Sequence, residues 1–204
     1  MYFIISIKTQ SNMVQLIEKK QYTIKESGIP YAGSGLFAKR DISSGTILPY
    51  NTFIKKYSDL SEDEDPTYFM AIAYKENGKH KTLRNFVTDG NPNLFKGSKK
   101  KLSAAAYVNE ASLYPPNCVF VTNPLLTKEN VIETYKNKKI LASSFLVVPF
   151  EVKKGEELFT MYGPSYETRE YKQWRDKNGY KNRLIEAAHF HVSNFEEIKN
   201  LFES

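Results

Sequence analysis

Cysteine is almost absent from this chain of 204 residues: Cys118 stands alone, which excludes an internal disulfide and any zinc cluster built from cysteines. An intracellular setting, nuclear or cytoplasmic, is the expectation that follows. No apolar run approaches the roughly 18 residues needed to span a bilayer. The opening MYFIISIKTQ is too short for a signal segment and lacks a basic flank and a cleavage site. The chain is therefore read as soluble and unprocessed, with no membrane partner. Histidine is scarce too. His80, His189 and His191 are the only three, and they are read as surface or capping residues, so no metal ligand is assigned. There is no Ser-His-Asp arrangement, and Gly33-Ser34-Gly35 lacks the Lys-Ser/Thr ending of a phosphate loop. Internal repeats and low-complexity tracts are missing as well.

Aromatic residues are plentiful, with 14 Tyr, 13 Phe and one Trp supplying core and half-polar lining. The formal charge of +6 suits solubility or an acidic partner. A basic run, KGSKKKLS (Lys96 to Ser103), could touch a nucleic-acid backbone, but no base-reading motif stands beside it. Contact with nucleic acid is thus a secondary expectation.

Short β-like runs fill the first half: YFIISI, QYTIK, LFAK and TILPYNTFIKKY, each broken by Gly, Pro, Ser or Asn. SDLSEDEDPTYFMAIAY begins with residues able to cap a helical turn. FMAIAY and LRNFVTDG then read as strands joined at Asn77-Gly78, a hairpin signal. SAAAYVNEA predicts a short helix capped by Ser103. CVFVT and ILASSFLVVPFEV read as strands, and VIETYKN between them reads as a further strand, half of a hairpin. Ser165 is a candidate cap for a helix over Tyr166 to Lys177. Helical pieces over Leu184 to Glu203 follow, with Leu184, Ile185, Phe190, Phe195, Ile198 and Leu201 as the apolar face.

Three segments bear on chemistry: GIPYAGSGLFAKRDISSGTIL (Gly28 to Leu48), AAYVNEASLYPPNC (Ala105 to Cys118) and VKKGEELFTMYG (Val152 to Gly163). On residue chemistry alone, the first is a tight turn where a bare backbone can approach a ligand. Asn109 in the second is a multivalent hydrogen-bonding group, suited to a ligand or to a helix terminus. Tyr162 in the third is, taken alone, one more of the 14 tyrosines in a β-rich core. In this order and spacing the three segments resemble the SET domain of protein lysine methyltransferases, with some similarity to its PR-type members.

The resemblance covers about Tyr22 to Tyr166. It implies an α+β, β-rich fold of several small curled sheets with a C-terminal pseudoknot, followed by C-terminal helices. The implied layout is an N-terminal extension over 1–21, a SET domain over 22–166 with an insert at about 51–102, and a helical segment over 167–204 that closes the site. No structural zinc is expected.

The activity implied is S-adenosylmethionine-dependent methylation of a lysine on a protein substrate, histone among the candidates. Carried over by motif, Gly33, Ser34, Gly35 and Leu36 would line the cofactor site. Tyr107 and Asn109 would follow, the latter bonding the cofactor's amino acid moiety. Tyr162 would be the catalytic residue, orienting the lysine amine. Glu110 stands where the family usually has His, and would either accept from the adenine amine or face solvent. Met161 replaces an Asp, and the stretch to Asn117, near the place of a later family Asn, is longer than usual. Tyr50 and Tyr166 are candidate walls of the substrate channel, and Trp174 would lie near adenine or serve as a core anchor. The alternative function is a catalytically inactive SET-like or PR-like interaction module.

Overall fold

The computed structural model describes residues 15–16, 19–95, 103–111, 114–161 and 179–193. Among the described residues, ten strands precede the last helix. They are β1 (Gln15–Leu16), β2 (Tyr22–Glu26), β3 (Ser34–Ala38), β4 (Thr46–Lys56), β5 (Phe69–Glu76), β6 (Lys79–Asp89), β7 (Asn109–Glu110), β8 (Val119–Thr122), β9 (Ile140–Val148) and β10 (Phe159–Thr160). Helix α1 (Lys128–Lys136) lies between β8 and β9, and α2 (Tyr180–Ser193) ends the described chain. The fold is α+β and β-rich, with three separate sheets. The largest runs β5-β6-β4-β9-β8, with β1 added in parallel to β4; β2 pairs with β3, and β7 with β10.

Strand β4 organises the molecule because it is long enough to serve several neighbours. From Thr46 to Phe53 it pairs antiparallel with β9 along one edge, and its other edge receives β1 at Thr46–Ile47 and β6 at Phe53 to Lys56. Side chains alternate across a strand. Ile47 therefore joins one core with Phe145, Val147, Val119 and Val121, under Leu184, Ala188 and Val192 of α2. Leu48 and Tyr50 face the other way, into a core with Leu36, Ala105, Val108, Leu146 and Leu158. Helix α2 thus covers the face opposite Tyr50. A third core, with Ile54, Ile72, Phe86, Leu126 and Val131, fills the far end of the sheet beneath α1.

The β5–β6 hairpin turns at Asn77 and Gly78, with φ of 50° and 76°, the two left-handed residues that the expected two-residue turn requires. Ser103 caps its helical turn as expected, but the turn is a 3-10 helix over Ala104–Tyr107. The segment VIETYKN is not a strand: it belongs to α1. Its start is set by a capping box in which Thr127 and Asn130 satisfy each other's backbone amides. The expected core position Phe190 is 56% exposed, because α2 turns Leu184, Ala188 and Val192 toward the sheet instead. YFIISI and the helix expected over Tyr166 to Lys177 lie outside the described residues.

One ion-pair group ties the β4–β6 edge together. Lys55 Nζ lies 2.7 Å from Asp89, whose side chain is almost fully buried, and also bonds Glu64. Burial works against the Lys55 charge, but bonds to Asp89 and Glu64 outweigh it and hold the pKa above its ordinary value. A raised lysine pKa adds stability that is complete below the unfolded-state value, roughly pH 10.5, and lost as pH rises through the folded-state value. Lys55→Met should therefore lower stability at pH 7 by about 1–2 kcal/mol, given the partial exposure of the pair. In urea titrations the gap to wild type should narrow between pH 10 and about 12. A gap that stays constant would show that the charge contributes nothing.

Candidate functional site

The loop before β3 is built by its own backbone. Ser27 N–H donates to the Gly33 carbonyl at 2.8 Å, and Ala32 N–H to that of Ile29 at 3.2 Å. Gly33 closes the turn at φ +71°, with open space where a Cβ would stand. Only glycine takes this conformation without strain.

The segment after the Lys153-Lys154-Gly155 turn is held between the first two motifs. On one side, Ala38 N–H donates to Glu156 O at 2.9 Å and Leu158 N–H to Leu36 O at 2.8 Å, joining it to β3. On the other, β10 pairs in parallel with β7, Phe159 opposite Asn109 and Thr160 opposite Glu110, and Ala111 N–H donates to Thr160 O. Asn117 completes the clamp: its Nδ2 donates to Glu157 O at 2.8 Å, and its Oδ1 accepts from Phe159 N–H at 2.9 Å. Cys118 is buried beside it and donates to Phe159 O; burial pushes its thiol well up, which leaves it without nucleophilic character.

Glu157 sits at the junction, 7% exposed. Its carboxylate accepts from Ser27 Oγ at 2.6 Å, Gly28 N–H at 2.8 Å and Asn109 Nδ2 at 3.2 Å. Gly35 is bare because of it: a Cβ there would lie 2.0 Å from Oε1. Asn109 Nδ2 also donates to Ser34 O at 3.2 Å. Both partners are acceptors, so this end of the amide is the nitrogen. Its Oδ1 is left without a protein partner among the described residues.

A pocket of about 690 Å³ opens over these groups. The Gly33–Ser34 turn, Tyr107 and Asn109 form one wall, Tyr50 and Phe120 the floor, Thr67 and Tyr68 of the 3-10 turn before β5 with Phe69 to Ala71 of β5 the far side, and Met161 lies near the end of the third motif. Tyr50 is 3% exposed; its ring packs on Phe120 at 5.3 Å and its hydroxyl donates to Tyr68 O at 3.2 Å. Tyr68 keeps a neutral hydroxyl, because burial pushes its pKa up, and Asp65 and then Tyr107 act in the same direction.

Five of the residues expected from sequence therefore share one pocket: Gly33, Ser34, Tyr50, Tyr107 and Asn109. Gly35 and Leu36 lie behind it. Gly35 makes room for Glu157, and Leu36 is fully buried in the core with its carbonyl taken by Leu158. Glu110 is half-buried in β7 and does not line the pocket. Tyr162, Tyr166 and Trp174 lie outside the described residues. His191 lies in the last turn of α2, beside Ser44. Ser44 Oγ gives its hydrogen to Pro149 O at 2.6 Å, so it accepts from His191 Nε2–H at 3.2 Å.

Sequence reasoning missed Glu157 and the pocket residues Tyr68 and Phe120. The weak signal for Glu157 was a carboxylate placed directly before the apolar Leu158-Phe159 pair. Nothing local could name its partners.

No family model and no curated protein matches the sequence. Among solved structures the chain is similar to the methyltransferase domain of human PR domain-containing protein 2. The identity is 17%, with 74% of this chain and 83% of that chain covered, at a TM-score of 0.44. It is also similar to the SET domain of the RIZ1 tumor suppressor (PRDM2), at 15% identity over 84% of this chain and 80% of that chain, with a TM-score of 0.45.

Proposed function

We propose that this chain is an S-adenosylmethionine-dependent protein lysine N-methyltransferase of the SET type. The observation that carries the reading is the convergence of the three motifs on one pocket: the Gly33–Ser34 turn, Asn109, and Met161, which follows β10 and precedes Tyr162 in the sequence. The pocket suits the cofactor chemically. Its volume lies within the usual range for ligand sites, the Gly33 backbone is open, Asn109 Oδ1 is an available acceptor, and Ala105, Phe120 and Met161 offer apolar walls.

In this reading Gly33, Ser34 and Asn109 hold the cofactor, which supplies the transferable methyl group. Asn109 Oδ1 accepts from an ammonium, while its Nδ2 stays bound to Ser34 and Glu157. The rings of Tyr50, Phe120 and Tyr107 suit the aliphatic stem and cationic tip of a lysine side chain. Enclosure among them, next to a second positive charge, lowers the lysine pKa toward the neutral amine that can attack. Tyr162 orients the amine lone pair through its hydroxyl and need not act as a base. Histone and other proteins both remain candidate substrates, and a nucleic-acid contact is secondary.

Calorimetric titration of S-adenosylmethionine tests the proposal. Wild type should bind, and Asn109→Ala should bind about 10- to 100-fold more weakly, as expected for losing a charge-assisted hydrogen bond and freeing its neighbours. Absence of binding by wild type would remove the methyltransferase reading and leave the interaction module.

A further inference from the structure

Glu157 is a nearly buried carboxylate that three donors hold, and among the described residues no basic side chain pairs with it. A buried charge is costly unless its hydrogen bonds and surroundings compensate it. Here the compensation comes from Ser27 and Gly28 of the first motif and Asn109 of the second. These bonds reach residues 130, 129 and 48 positions away. All three donors are neutral groups, and among the described residues no positive side chain balances the charge, which lies behind Asn109 and the turn that line the pocket.

We infer that Glu157 is a positioning residue: it fixes the 27–35 loop and the Asn109 amide, and its negative charge, held by neutral donors, makes that end of the pocket select a ligand carrying a positive group. The inference rests on the cofactor reading above for the ligand, but not for the locking of the loop. Three details support it. The carboxylate takes up Asn109 Nδ2, so Oδ1 is the atom left for a ligand. It accepts from the Gly28 amide at the start of the loop. And the missing side chain at Gly35 leaves the space that Oε1 occupies.

Glu157→Gln is the direct test, since it preserves volume while removing the charge and placing an NH₂ against groups that are all donors. Two readouts separate the two parts. In the ligand-free protein, amide exchange of Gly28 should speed up at least about tenfold in Glu157→Gln, with an intermediate increase in Ser27→Ala, which removes the hydroxyl's bonds to Glu157 and to the Ile29 amide and leaves the carboxylate in place. In titrations, Glu157→Gln should lose about tenfold or more in affinity for S-adenosylmethionine while affinity for uncharged methylthioadenosine stays within about threefold. Gly28 exchange at the wild-type rate in both variants would overturn the locking role. Equal losses for both ligands would overturn charge selection. If wild type binds neither ligand, the cofactor reading fails and charge selection falls with it. The exchange measurement then decides the locking role alone.

Discussion

Replacing Tyr162 with phenylalanine should slow methyl transfer at least about 100-fold while leaving the affinity for S-adenosylmethionine within about threefold. The lost atom is a single hydroxyl, and its proposed work is to align an amine lone pair with a methyl group and the bond that breaks. Orientation of this kind is expressed only in the reacting complex, so its loss should fall on the rate and spare ligand binding. Thr160, opposite Glu110, is fully buried, and Met161, the residue before Tyr162 in the sequence, lines the pocket. Single-turnover transfer from labelled S-adenosylmethionine to histone or lysate proteins, beside calorimetry, makes the check. Transfer at the wild-type rate would remove Tyr162 from the mechanism, and lost ligand binding would reassign it to the cofactor site.

The second large effect concerns the pocket floor. An alanine at Gly90 would put its Cβ 2.1 Å from Tyr50 Oη, 2.3 Å from Cζ and 2.7 Å from Cε2. Tyr50 has nowhere easy to go: it is buried, its ring meets Phe120, and its hydroxyl bonds Tyr68 O, which also accepts from Gly90 N–H at 3.3 Å. Overpacking of a full core typically costs 1–3 kcal/mol, and a broken buried hydrogen bond adds to it. Gly90→Ala should therefore lose about 2–4 kcal/mol, measured by urea denaturation, and bind S-adenosylmethionine more weakly. Tyr50→Leu in the same background should recover part of the stability, because the clash is with the ring's far end. A stable Gly90→Ala with normal binding would mean that Tyr50 can swing away from the floor.

Much of the large sheet could be read from the chain because its information is local. Strands β4, β5, β6, β8 and β9 carry β-branched and aromatic runs with breakers at their ends, and Asn77-Gly78 names its own turn. Helix α1 defeated that reading: Val131, Ile132, Thr134 and Tyr135 favour a strand, but the Thr127–Asn130 capping box and the packing of Val131 into the third core decide for a helix. Propensity gave way to capping and burial. Within the site, the positions that contact through backbone or lie beside a turn, Gly33, Ser34 and Asn109, were visible in the motifs. Glu157 was not, since its role exists only through residues far away in sequence, and the space it needs is visible only as an absence at Gly35.

The clamped strand also fixes when in the life of the chain the pocket can exist. A polypeptide made only as far as residue 154 already contains β3 and β7, with the bond from Asn109 Nδ2 to Ser34 O between them, but the bonds that tie both motifs to their shared neighbour need residues 155 to 160. Both closures are long-range, the kind of contact whose loop entropy must be overcome before it is rewarded. The pocket wall is thus a product of the finished chain. No early fragment during synthesis carries it, and any ligand held there bridges segments that would separate on unfolding.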